Sequence, residues 1–237
     1  MVSVGKGWKM QRDQSRITSL VTIIWVLASL FFLLPVPHLW ALSLDDLLAR
    51  IEKQYNQTTD FQADFIQETM LKSIGKTERE QGRLYFKKPR KMLWRYEKPK
   101  AKTLVVNTEK SWLYIPEDQV AYVQKMDRLL QSTVAVRLLS GFIGIKDDFQ
   151  VQFAATDQVD RKGNYMLRLI PRERNAGFSK AHIDINGTTY NINRVWFEDP
   201  YGNVTRVILS NIKMNQQLKD EKFLFAPPAG VEIFSLP

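Results

Sequence analysis

Residues 82–116 read GRLYFKKPRKMLWRYEKPKAKTLVVNTEKSWLYIP. Tyr85, Phe86, Trp94, Tyr96, Trp112 and Tyr114 are set here among lysines and arginines. Strand side chains alternate between two faces, so Met92, Trp94 and Tyr96 fall on one side and Lys91, Leu93, Arg95 and Glu97 on the other. Trp112 and Tyr114 also share a face with each other. A nucleic-acid surface has this composition, and so has a sheet that is apolar within and basic without. The breaks KPRK, EKPK, NTEK and PED are turn chemistry and divide the stretch into short strands.

Strands of the same kind extend in both directions. Upstream, DFQADFIQETM sets Phe61, Ala63 and Phe65 against Gln62 and Asp64, the pattern of a half-buried strand. Downstream, QVAYVQK, DFQVQFAAT, NYMLRLIPR, KAHIDING, INRVWFEDP and NVTRVILSNIKMN are separated by turns such as RKG, NG and PYGN, and KFLFAPP is expected to form a last strand. Many short, evenly spaced strands predict an antiparallel sheet curled into a barrel or half-barrel. Two helices accompany it. In SLDDLLARIEKQYNQ, Ser43 is an N-cap, and Leu44, Leu47, Leu48, Ile51 and Tyr55 form one apolar stripe. RLLQSTVAVRLLSGFIG, with Leu138 and Phe142, is apolar around much of its circumference. It is either a core helix or a lid with a ligand beneath it. The fold class is therefore mainly β with some α, an antiparallel barrel or half-barrel that can enclose a cavity as well as a core.

The chain has 237 residues, 44% hydrophobic and 25% charged, with a formal net charge of +9. These values describe an ordinary globular chain with an anionic partner or surface in view. Cysteine is absent, which excludes disulfides, thiol nucleophiles and cysteine metal sites. His38 and His182 are the sole histidines, too few for a histidine-rich metal site. There is no glycine-rich phosphate loop, no G-x-S-x-G elbow and no His–Glu metal spacing. The Asp pairs at 45–46 and 147–148 sit where capping or solvation explains them. No cofactor and no enzymatic activity are expected.

Lys6, Lys9, Arg12 and Arg16 precede the apolar run ITSLVTIIWVLASLFFLLP, which ends in PVPHLWA. That order is a secretory signal peptide, residues 1–41, with cleavage after Ala41; an uncleaved anchor is the alternative. Loss of four basic residues and Asp13 leaves the 42–237 domain at +6. An exported chain meets little nucleic acid, which counts against that reading of the opening stretch.

The spacing KP-x4-W-x4-P-x12-W-x-Y-x-P is occupied by Lys88, Pro89, Trp94, Pro99, Trp112, Tyr114 and Pro116. With F-x-A-x-F-x-Q at Phe61, Ala63, Phe65 and Gln67 and the terminal KFLFAPPAGVEI, it resembles the periplasmic outer-membrane lipoprotein carrier family, LolA. The resemblance implies an incomplete antiparallel half-barrel around a hydrophobic cavity, covered by helices acting as a lid, and the role of a monomeric periplasmic chaperone of Gram-negative bacteria, without enzymatic activity. Such a carrier takes acylated lipoproteins from an inner-membrane ABC transporter to an outer-membrane receptor. It also implies an acyl-binding face, here assigned to Leu47, Ile51, Met92, Trp94, Tyr96, Trp112, Tyr114, Leu138 and Phe142. Members of that family often carry an arginine before the first proline, where it bonds the lid in the empty form. This chain has Lys88 there, which makes Lys88 the lid lock, with a point charge in place of a planar fork. The family's Asp-Gly turn is here Asn107–Thr108. A related lipid-binding or envelope-stress sensor domain of the same fold is the alternative, and a periplasmic enzyme on a barrel scaffold is a third.

Overall fold

Ser43 caps the first helix as expected: its Oγ accepts from the Asp46 amide at 3.1 Å and closes the first turn of helix α1, Leu44–Gln57. The computed structural model describes residues 42–125, 145–155, 158–172, 178 and 180–236. All of these belong to the unit Leu42–Pro237. The expected signal segment 1–41 and the second expected helix, with Leu138 and Phe142, lie outside the described residues.

After α1 come β1 (Asp60–Leu71), β2 (Lys76–Lys87), β3 (Lys91–Lys98), β4 (Lys102–Val106), β5 (Lys110–Ile115) and β6 (Val120–Lys125). A single helical turn, α2 (Ile145–Asp148), leads into β7 (Phe149–Phe153), β8 (Asn164–Pro171), β9 (Lys180–Asn186), β10 (Ile192–Glu198) and β11 (Val204–Met214). A 3₁₀ turn (Asp220–Phe223) and β12 (Glu232–Ser235) finish the chain. The strands form one sheet in the order β12-β6-β5-β4-β3-β2-β1-β11-β10-β9-β8-β7. Its two ends do not pair with each other, so the barrel is incomplete. Neighbours are antiparallel except β12, which runs parallel to β6.

Two expectations shift. KFLFAPP is not a strand: Asp220–Phe223 is a 3₁₀ turn, and the final strand is Glu232–Ser235. Strand β2 starts at Lys76, six residues ahead of the quoted stretch, because the exposed run KTEREQ pairs fully with β1 although it has no apolar alternation.

The two faces of the sheet are packed separately. The main core joins Leu47, Leu48, Ile51 and Tyr55 of α1 to Phe61, Phe65, Leu84, Phe86, Met92 and Trp94, and to Leu167, Ile183, Val195 and Val207 of the second half. This is the concave face. On the opposite face Tyr85, Leu93, Val105, Leu218 and Phe223 make a smaller cluster under the C-terminal segment.

Candidate functional site

Strand register decides which aromatics meet. Leu84 pairs with Trp94, Trp94 with Leu104, and Leu104 with Leu113, so these side chains lie on the concave face. Phe65 stands edge-on to both Trp94 and Tyr96, with centroids 5.0 Å apart in each case. Leu47, Ile51, Met92, Trp94 and Tyr96 are thus brought together, all buried, in the core beneath α1.

Trp112 and Tyr114 do not join them. Leu93 pairs with Val105 and Val105 with Trp112, which puts Trp112 and Tyr114 on the convex face. There both rings pack on Phe225, at 5.6 Å and 5.5 Å. Assigning them to the apolar interior was wrong, because each strand's own alternation does not give its phase relative to the next strand.

The lysines of the quoted stretch divide in the same way. Lys87 turns to the convex side, where its Nζ donates to the Leu218 carbonyl at 2.7 Å and pairs with Asp220 at 2.6 Å. Lys91 pairs with the other Asp220 oxygen at 2.9 Å. These two ammonium groups hold the Asp220 carboxyl below its ordinary pKa. Lys222 lies over the Tyr85 ring at 4.0 Å. The bases thus fasten the C-terminal segment to the sheet, a role that no local pattern announces.

Lys88, the next residue, turns to the concave side. Its Nζ donates to the Tyr55 and Asn56 carbonyls at 2.6 and 3.0 Å. Both carbonyls lie in the last turn of α1, where the helix dipole favours a cation; the Tyr55 carbonyl also accepts the Thr58 amide at 3.2 Å. Arg50 reaches Tyr190 Oη at 2.6 Å, Gln54 reaches Asn191 at 3.3 Å, and Asp45 pairs with Lys146 at 2.8 Å. Tyr55 Oη accepts from the Ile192 amide at 3.2 Å, and burial pushes its pKa up to about 12.

One polar group on the concave face was missed. Tyr96 Oη donates to Gln67 Oε1 at 3.2 Å, Gln67 Nε2 to Glu80 at 3.4 Å, and Lys102 pairs with Glu80 at 2.6 Å while lying 4.3 Å from the Tyr96 ring centre. Burial raises the Tyr96 pKa, so the phenol stays protonated. Beside this group is a hollow of about 220 Å³ lined by Tyr96, Lys102, Leu104, Leu113, Tyr122 and Leu236, among others. Larger hollows, of about 510 and 570 Å³, have mixed polar walls that include Asp64, Arg83 and Lys213 in one and Asp160, Asp184 and Arg194 in the other. They are less suited to an apolar ligand.

The model of the family "Outer membrane lipoprotein carrier protein LolA" matches residues 56–226. The chain belongs to the LolA family. Two curated relatives, each named "Outer-membrane lipoprotein carrier protein", illustrate the similarity. The one from Nitrosospira multiformis is 31% identical over 208 residues, 87% of this chain and 95% of the relative. The one from Methylococcus capsulatus is 28% identical over 186 residues, 78% of this chain and 86% of the relative. An uncharacterized conserved protein from Thermus thermophilus superimposes with a TM-score of 0.53 at 16% identity, covering 81% of this chain and 98% of that one, and so shares the fold. In this LolA-family chain the open sheet, its apolar concave face and the amphipathic helix α1 across it are the features left to account for.

Proposed function

We propose that this chain is a periplasmic carrier that buries the acyl chains of lipoproteins on its concave face. It receives them from an inner-membrane ABC transporter and delivers them to an outer-membrane receptor. The carrying observation is an apolar sheet face covered by a helix whose last turn accepts two hydrogen bonds from one exchangeable cation, Lys88. Leu47, Ile51, Met92, Trp94 and Tyr96 are the acyl-contacting residues. A hollow of about 220 Å³ is smaller than the roughly 300–1,000 Å³ of typical ligand pockets, so cargo enters by displacing groups that now fill the face. Each buried CH₂ contributes about 0.8 kcal/mol, enough over an acyl chain to drive that displacement. An interior of aliphatic and aromatic side chains binds acyl chains of different lipoproteins with little discrimination.

The folded protein is expected to enhance the fluorescence of an environment-sensitive apolar dye, and acylated peptide is expected to displace it. No dye binding, or no competition by the acyl chain, would reduce these side chains to ordinary core. Cleavage of residues 1–41 belongs to the same proposal. The form in periplasmic extract is expected to start at Leu42, and N-terminal mass spectrometry that found Met1 in a membrane fraction would contradict it.

A further inference from the structure

Trp94 is 2% exposed, and among the described residues its Nε1 is the one buried side-chain nitrogen or oxygen without a hydrogen-bond partner. Buried polar groups are nearly always paired, and a donor left without an acceptor is destabilising. The indole N–H can only donate. Its ring neighbours are Phe65, nearly perpendicular at 5.0 Å, and Tyr96, stacked at 6.4 Å, and its cross-strand neighbours are Leu84 and Leu104. None of these side chains offers the indole a carbonyl or carboxylate acceptor. Two of them, Tyr96 and Leu104, are also walls of the concave hollow, which therefore begins one side chain from the indole.

We infer that the Trp94 indole N–H is a ligand-binding donor, left open in the empty form and satisfied by the ester or amide carbonyl at the head of a bound acyl chain. The inference rests on the carrier reading and adds to it. The chamber is not uniformly greasy, and one fixed donor sets how deep the chain slides before its first carbonyl stops. The walls alone bind any alkyl chain, whereas the donor selects acyl over alkyl. Tyr96 Oη already donates to Gln67, and Lys102 is already paired with Glu80, so both are engaged where Trp94 is not.

The experiment compares palmitoylglycerol with hexadecylglycerol, its ether counterpart without the carbonyl, by dye displacement below their critical micelle concentrations. Wild type is expected to bind the ester about three- to tenfold more tightly than the ether, the range set by one net hydrogen bond. Trp94→Phe keeps an aromatic ring but no N–H, and is expected to bind the two lipids equally. In ¹⁵N-indole-labelled wild type, the Trp94 Nε1–H resonance should move downfield with the ester and stay put with the ether. This reading needs no variant and decides the matter even where Trp94→Phe fails to fold. Equal binding of the two lipids by wild type, discrimination retained in Trp94→Phe, or an unmoved indole resonance overturns the inference while leaving the carrier reading intact. Failure of both lipids to bind wild type overturns the carrier reading and this inference together.

Discussion

Lys88→Ala is expected to bind an acylated lipoprotein about 10- to 150-fold more tightly than wild type in a titration, and Lys88→Arg more weakly than either. The Lys88 ammonium spans the Tyr55 and Asn56 carbonyls at the end of α1, at 2.6 and 3.0 Å. A hydrogen bond to a charged group contributes about 1.5–3 kcal/mol, which converts to that range of affinity. The argument is one of population. Cargo binds only when α1 yields, and a ligand's apparent affinity falls with the fraction of molecules not competent to bind it. Alanine leaves two carbonyls without their cation and favours the yielded form. Arginine offers parallel donors to two adjacent carbonyls, which a planar fork suits better than a point charge. The contacts from Arg50, Gln54 and Asp45 remain in every variant, so α1 stays attached. The same substitution should slow delivery to a receptor, since tighter retention comes from the same equilibrium. Equal affinities for the three proteins, or weaker binding by Lys88→Ala, would dispose of the lock.

Gly82→Ala is expected to destabilise the fold by about 3 kcal/mol or more, a fall of roughly 6–12 °C in Tm for a domain of this size. Gly82 opens the quoted stretch, in β2 at the point where its register with β3 slips between Gln81 and Gly82. A Cβ added there would lie 1.9 Å from the Arg95 carbonyl oxygen and 2.9 Å from Tyr96 Cα. Both are backbone atoms of a central strand, which no side-chain rotation relieves. The two strands have to separate, and with them the concave face carrying Trp94 and Tyr96. Gly75 is the control. A Cβ there meets nothing within 4 Å, and its φ of +62° costs alanine about 1–2 kcal/mol. Calorimetry should therefore rank wild type, Gly75→Ala and Gly82→Ala in falling order of Tm. A Gly82→Ala protein melting with wild type would refute the close approach.

The legible part of this molecule was what a single element determines for itself. Ser43 and the Leu47, Leu48, Ile51, Tyr55 stripe gave α1, and the alternation of Phe61, Ala63 and Phe65 gave β1 with its inward side. The antiparallel sheet followed from the count and spacing of strands, and its incomplete closure from the family resemblance. What was not legible depends on two elements at once. Trp112 and Tyr114 share a face with each other, but which face depends on the turns that carry β3 into β4 and β4 into β5. Lys87 and Lys88 look alike in the sequence, yet one meets Asp220 and the other the Tyr55 and Asn56 carbonyls, partners far away along the chain. The Gln67–Glu80–Tyr96–Lys102 group is drawn from four different strands, β1 to β4, and no one segment contains its pattern. The last strand was misplaced because KFLF is as apolar as a strand, although Phe223 is buried from a 3₁₀ turn.

The order of strands also bears on how the molecule comes to be folded. Strands β1 to β6 form a run of hairpins, as do β7 to β11, so each half of the sheet can zip up from local contacts. The seam between the halves cannot: β1 meets β11, joining Phe61 to Met214 and Met70 to Val204. Closing so long a loop is the slow kind of contact, and it waits until nearly all the chain has been delivered. Until then β1 presents an unpaired edge to its neighbours, a template for association between nascent copies. This member of a carrier family is, on its topology, briefly exposed to that hazard during its own folding.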